Sequence, residues 1–339
     1  MYSFYPRPKK FSQKRLPNSE KKITRILEEY FGQPVVLFSS GRTALGFYLN
    51  YRNFNLYKNT IAIPDFFPDC VLAAIVSHAF PVRGNKPFAD ALLYYNQYGY
   101  QQLNNKITDF AKDYKIIIED SAHSFFDTRQ KKYPRILSFA KFFPVNFGGA
   151  LILTSQKEKK NILQWRDQQP ILSIKKEREV QRFFYDCFAH YNDINPNIAL
   201  QANISVASSI VQYYIHPLKT TLSNLPQNIQ DLKKVAQTRM DYFEYLRDRI
   251  FQAQAKKYLS QVDTPPFIIP CYFSENRMIL NKLIKQMHSI GINAKVYHID
   301  IKRDQMKPLY TPAVILPCHQ EIPWNKIKKM GKILEKYVN

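Results

Sequence analysis

Three isoleucines, Ile116 to Ile118, run into Glu119 and Asp120, and His123 follows three residues after the second carboxylate. A carboxylate at a buried strand end needs a partner, because burial raises its pKa and a nearby positive charge lowers it. Taken alone, this stretch leaves four readings open: a metal site, an acid/base pair, a cofactor anchor, or a strand end with polar residues. A metal would need more His, Cys or carboxylate ligands at convergent strand ends, and none is obvious. Lys141 stands among Phe139, Phe142 and Phe143. Desolvation there would depress its pKa and free the amine as a nucleophile toward an aldehyde. A lysine snorkelling out of an aromatic cluster is the competing reading.

Two further features sit at strand ends. "SSGRTAL", Ser39 to Leu45, turns at Gly41 into a helix start. Free N–H groups and the helix dipole suit a phosphate there, and Arg42 adds positive charge. An ordinary capped helix would carry the same residues. "IPDFFPDC", Ile63 to Cys70, presents Phe66 and Phe67, of which one could stack on a planar ligand or simply pack in the core. Together, a phosphate cradle, an aromatic ring, a strand-end Asp and a lysine in an apolar run are the parts that a pyridoxal phosphate (PLP) site requires.

These residues need strands to carry them. "PVVLF", "TIAIP", "KIIIED" and "GGALILTS" read as strands, and "NSEKKITRILEEYFG", "SSGRTALGFYLNY", "DCVLAAIVSHA" and "KITDFAKDY" as helices. Strands alternating with helices imply a largely parallel sheet covered by helices, with sites at the carboxyl ends of the strands. From about residue 156 to 259 the chain reads as mostly helical. The tail then gives strands at "FIIPCYF", "NAKVYHI" and "AVILP", with helices at "NRMILNKLIKQMHSIG" and "PWNKIKKMGKILEKY". The expected fold is a three-layer α/β unit over residues 1–230, followed by a smaller α+β unit over 231–339.

The 339 residues fit roughly two domains of about 150 residues. No run reaches the roughly 18 apolar residues of a membrane span, and the basic N-terminus lacks the apolar stretch of a secretory signal. The four cysteines are far apart, which argues against a zinc ribbon or disulfide framework and fits a reducing cytoplasm. A net charge of +22 raises the prospect of an anionic partner. The lysines are dispersed and several alternate with Glu, so solvated helix faces are favoured over a nucleic-acid surface.

The chain resembles the DegT/DnrJ/EryC1/StrS family of sugar aminotransferases, which have the fold-type I, aspartate-aminotransferase-like architecture. The resemblance is carried by "SSGRTALGFYL", "IPDFFPDCVLAAI", "IIIEDSAHSF" and "SFAKFFPVNFGGALILTS", and near the end by "MILNKLIKQMHSIGINAKVYH" and "VILPCHQEIPWNKIKKMGKIL". The Glu-Asp-x-Ala-His element and the glycines seven and eight residues after Lys141, Gly148 and Gly149, are its specific parts.

The resemblance implies that Lys141 bonds the aldehyde of PLP and that Asp120 pairs with the pyridinium nitrogen. His123 would lie beside the cofactor on its 3-hydroxyl side. Arg42 and Thr43, after the turn at Gly41, would offer backbone N–H groups to the phosphate, with a hydroxyl from Ser138. Phe67, in preference to Phe66, would cover the ring. Asn203 in "QANISVASS" would complete the phosphate site of a neighbouring subunit, which implies a homodimer. The activity implied is transfer of an amino group from an amino acid, glutamate by analogy, to a keto sugar, free or nucleotide-linked. Dehydratases of the family have histidine in place of the lysine, so Lys141 favours transamination. The chain departs from the family in a shorter segment between Ser138 and Lys141, in "NFGG" for "GEGG", and in its helical middle. Those departures motivate an alternative, a member that binds PLP or a partner without turnover.

Overall fold

The computed structural model describes residues 2–6, 20–84, 88–103, 107–110, 112–191, 214–260 and 262–337. Its main sheet has seven strands: β1 Val35–Phe38, β2 Thr60–Ile63, β3 Phe80–Arg83, β4 Ala91–Tyr95, β5 Ile116–Asp120, β6 Arg135–Ser138 and β7 Gly149–Ile152. They lie in the order β1-β7-β6-β5-β4-β2-β3. β3, β2, β4, β5 and β6 are mutually parallel, and β7 runs antiparallel to both of its neighbours, β6 and β1. This is the expected three-layer, mostly parallel architecture.

The helices α1 Glu20–Phe31, α2 Gly41–Tyr51, α3 Asp69–Val76 and α4 Gln156–Arg166 pack on the sheet, and α5 Ile174–Tyr191, α6 Ile229–Arg247 and α7 Ala253–Leu259 follow, with α6 against α1 and α7 against the later strand Ile268–Phe273. Successive strand residues point to opposite faces. Val36, Phe38, Ile136 and Leu151 therefore pack with Leu45, Phe47 and Leu49 of α2. Their neighbours Val35, Leu37, Leu137 and Ala150 pack on the other face with Ile23, Ile26, Leu27 and Phe31 of α1. Strands buried on both faces read as unbroken apolar runs, which is why β1 and β5 stand out in the sequence.

A second sheet has the order β8-β10-β9, all antiparallel, from β8 Ile268–Phe273, β9 Lys295–Asp300 and β10 Tyr310–Pro317. The helices α8 Arg277–Ser289 and α9 Trp324–Leu334 accompany it. Its inner residues, among them Ile269, Ile315 and Leu316, belong to the same apolar cluster as Phe31 and Leu137. Among the described residues no helix is long and apolar enough to cross a membrane.

One expected helix is replaced. "KITDFAKDY" forms only a single 3₁₀ turn at Ile107–Phe110 in its described part. Ile107, Phe110 and Tyr114 are nonetheless buried together against Leu92 and Ile117. The apolar spacing thus marks residues that a turn can bury as well as a helix. Strands β3, β4 and β6 were not expected from the sequence.

Candidate active site

The topology sends one end of every parallel strand, and the start of the antiparallel β7, to the same edge. Phe38 and Ser138 both pair with Gly149, and Ser40 bridges Gly148. Ser40 caps α2 there, with its hydroxyl accepting the Thr43 N–H at 3.0 Å. The approach is close: a Cβ on Gly149 would lie 2.2 Å from the Gly41 nitrogen, and one on Gly41 would lie 2.9 Å from the Leu137 carbonyl oxygen. Gly148 has φ +105°, where a side chain is strained, and its N–H donates to the Ser39 carbonyl. The double glycine after Lys141 therefore lets the start of α2 abut β7.

A cavity of about 410 Å³ opens at this edge. Of the residues singled out in the sequence, it brings together Gly41, Arg42, Phe67, Asp120, His123, Ser138 and Lys141. Thr43 is not part of the lining: it is buried behind Arg42, its N–H held by Ser40 and its hydroxyl 2.9 Å from that of Ser39. The N–H groups of Gly41 and Arg42 head the helix, where no intrahelical acceptor exists. Phe67 is 8% exposed and lines the cavity, whereas Phe66 is 65% exposed and packs edge-on against Tyr310. Asn203 lies outside the described residues.

Lys141 ends the 3₁₀ turn Phe139–Lys141 that follows β6. Phe139, Phe142 and Phe143 plunge into the core around Phe125, leaving Lys141 on the cavity wall. Its Nζ donates to the Tyr5 hydroxyl at 3.1 Å and lies 4.7 Å and 5.4 Å from the Tyr5 and Phe267 ring centres. Burial opposes the ammonium, but the Tyr5 oxygen, Cys70 and Asp120 favour it by more, so its pKa is raised. This reverses the expectation from composition, because the compensating oxygen comes from a remote segment.

Asp120 closes β5 and faces the cavity, its Oδ1 accepting the Ala122 N–H at 2.9 Å. Burial raises its pKa, against the pull of that N–H and of Lys141. Glu119, one residue earlier, points to the opposite face. It is fully buried, accepts from Ser121 Oγ at 2.9 Å and lies 3.9 Å from Lys131 Nζ. His123 is stacked on Phe267 (4.7 Å, 8°) and on Tyr98 (5.3 Å, 24°). Burial, with Lys141 nearby, pushes its pKa well down, which keeps the ring neutral. Among the described residues no three His, Cys, Asp or Glu side chains are grouped to hold a metal ion.

Sequence reasoning missed Tyr5, Tyr95 and Cys70, which also line the cavity. No local motif marks Tyr5 or Tyr95, and Cys70 closes a stretch that stands out only for its phenylalanines.

No curated protein sequence matches the chain. Solved structures do. PseC from Helicobacter pylori, an aminotransferase involved in the biosynthesis of pseudoaminic acid, is 16% identical with a TM-score of 0.59, over 98% of this chain and 97% of that one. DesV from S. venezuelae is 12% identical with a TM-score of 0.61, over 97% and 91%. A DegT DnrJ EryC1 StrS aminotransferase from Brucella abortus is 15% identical with a TM-score of 0.57, over 96% and 92%. At these identities the likeness establishes a shared fold. The family comes from the sequence itself: the profile described as "Putative PLP-dependent aminotransferase" matches residues 21–331, from the first helix of the sheet unit into the last helix of the chain. The chain belongs to that family of PLP-dependent aminotransferases.

Proposed function

We propose that the protein transfers an amino group from an amino acid, with glutamate as donor, to a keto sugar, free or nucleotide-linked. The observation that carries this reading is the convergence of Lys141, Asp120 and the α2 start on one cavity. The residues present suit PLP: an amine for its aldehyde, a carboxylate for its ring nitrogen, a helix start for its phosphate and Phe67 for a ring face. The sugar acceptor rests on the resemblance to the DegT/DnrJ/EryC1/StrS sugar aminotransferases, whose name the Brucella abortus structural relative shares. The dispersed +22 charge is compatible with a nucleotide-linked acceptor.

Bound PLP supplies an electron sink that lets a bond at the amino-bearing carbon break heterolytically. The chain supplies the rest. Lys141 would hold the cofactor through its side-chain amine, and the same amine, when free, would serve as the acid/base that takes up and returns the proton of the transfer. Asp120, whose charged form burial disfavours more than the Ala122 N–H and Lys141 support it, gains from a further cation beside it, which is the charge that a protonated ring nitrogen would offer. Neutral His123, clamped between two rings, presents a fixed edge to the cavity without adding charge. Gly41 and Arg42 at the helix start, with Ser138, hold the phosphate. The family resemblance also supports a homodimer acting in the cytoplasm. The chain divides into a cofactor-binding unit over residues 1–230 and a smaller unit over 231–339.

Mixing the PLP-loaded protein with glutamate tests the reading. The lysine-bound absorbance is expected to disappear as 2-oxoglutarate forms, and a nucleoside-diphosphate keto sugar to restore it. Bound PLP that no amino acid discharges would instead favour binding without turnover.

A further inference from the structure

The segment Tyr2–Pro6 lies far in sequence from the strand-end motifs, yet it reaches the cavity. It is tied to the second sheet unit at several points. The Tyr2 N–H donates to the Gly291 carbonyl at 2.7 Å, and the Asn293 N–H donates to the Tyr2 carbonyl at 2.8 Å. The His319 Nε2–H donates to the Ser3 carbonyl at 2.8 Å, and Phe4 is buried with its ring edge-on to Tyr297. Ser3 Oγ donates to the Tyr5 carbonyl at 3.0 Å. Tyr5 then packs on Phe267 at 5.4 Å and places its hydroxyl 3.1 Å from Lys141 Nζ.

Among the described residues, Tyr5 is the only hydrogen-bond partner that Nζ has. A four-carbon side chain ending in three rotatable donors has no preferred direction of its own. One fixed acceptor, held by a segment anchored at both Tyr2 and Ser3, supplies that direction. We propose that Tyr5 is a positioning residue for Lys141: its hydroxyl accepts one N–H of the free amine and leaves the others facing the cavity. This inference rests on the reading of Lys141 as the cofactor-bonding lysine. It goes further in making the N-terminal segment part of the active site and in coupling the lysine to the second sheet unit through that segment.

The hydrogen bond favours the charged form of Nζ. Tyr5→Phe removes that oxygen and keeps the ring that packs on Phe267. The test is trace acetylation of the cofactor-free, full-length protein across pH, with labelling of the Lys141 peptide read by mass spectrometry. The labelling midpoint is expected to fall by about one pH unit in Tyr5→Phe, as the loss of a charge-assisted hydrogen bond implies. In the PLP-loaded protein, the pH midpoint of the lysine-bound absorbance is expected to move in the same direction. A merely structural Tyr5 would lower stability and leave both midpoints in place, and unchanged midpoints overturn the proposal. Failure to bind PLP would instead overturn the functional reading, while the acetylation midpoint still decides whether Tyr5 governs Lys141.

Discussion

Asp120 and Lys141 oppose each other in charge across one cavity, and each is stabilised by a different kind of neighbour. Asp120 has a single backbone N–H at 2.9 Å and a raised pKa, so it gains most from a bound cation. Asp120→Asn keeps the shape and removes the charge. Its expected effect is a loss of PLP affinity of at least about 30-fold, as for truncating one member of a buried charge pair. Fluorescence titration with PLP measures it, and unchanged affinity would remove Asp120 from the role proposed. The carboxylate, the histidine and the lysine could all be picked out of the sequence, because each sits at a strand end beside an apolar run. Tyr5 could not. It meets Lys141 across 136 residues of chain, and no local pattern encodes such a contact. The direction of the Lys141 shift was misjudged for the same reason, since the oxygen that raises it belongs to Tyr5.

The start of α2 is the element on which the phosphate role depends. Ser40 holds the Thr43 N–H, and Ser40→Ala is expected to cost about 1 kcal/mol, the usual loss of an N-cap, measured by urea unfolding. Gly149→Ala is a harsher test, because its Cβ would fall 2.2 Å from the Gly41 nitrogen and backbone cannot yield as a side-chain tip can. It is expected to displace the helix start and reduce PLP binding by more than Ser40→Ala does; a fully competent Gly149→Ala protein would show that the close packing is dispensable. The glycine pair was evident in the sequence as spacing, and the structure supplies its reason. Other elements were hidden for physical causes. β3 is a largely exposed edge with no apolar alternation. β6 opens on Arg135, which looks like a loop residue but is fully buried, donating to the Asp127 carbonyl at 2.7 Å and lying over Phe31.

The two sheets share one apolar cluster, and the molecule also buries polar groups. His319 is the clearest. Its Nε2–H donates to Ser3 while Nδ1 accepts the Glu321 N–H at 3.3 Å, an arrangement open only to the neutral ring. Burial, with Arg239 nearby, lowers its pKa from the usual 6.5 to about 3. The unfolded chain therefore binds this proton below about pH 6.5 while the native state does not, and stability falls as pH falls through that window. At pH 5.5 the loss is about 1 kcal/mol. The drop in melting temperature between pH 7.5 and 5.5 is expected to shrink in His319→Gln, and an equal drop would contradict the assignment. The alternation of strands and helices foretold the parallel sheet, whereas the joining of the two units through Tyr2–Pro6 is a property of the whole fold.

The account turns on one covalent bond, between Lys141 and the cofactor. Equilibrating the purified protein with PLP, reducing it with borohydride and mapping the added mass by peptide mass spectrometry locates that bond. The cofactor mass is predicted on the peptide containing Lys141 and is predicted to vanish in Lys141→Ala. Its appearance on another lysine, or on none, would contradict the account.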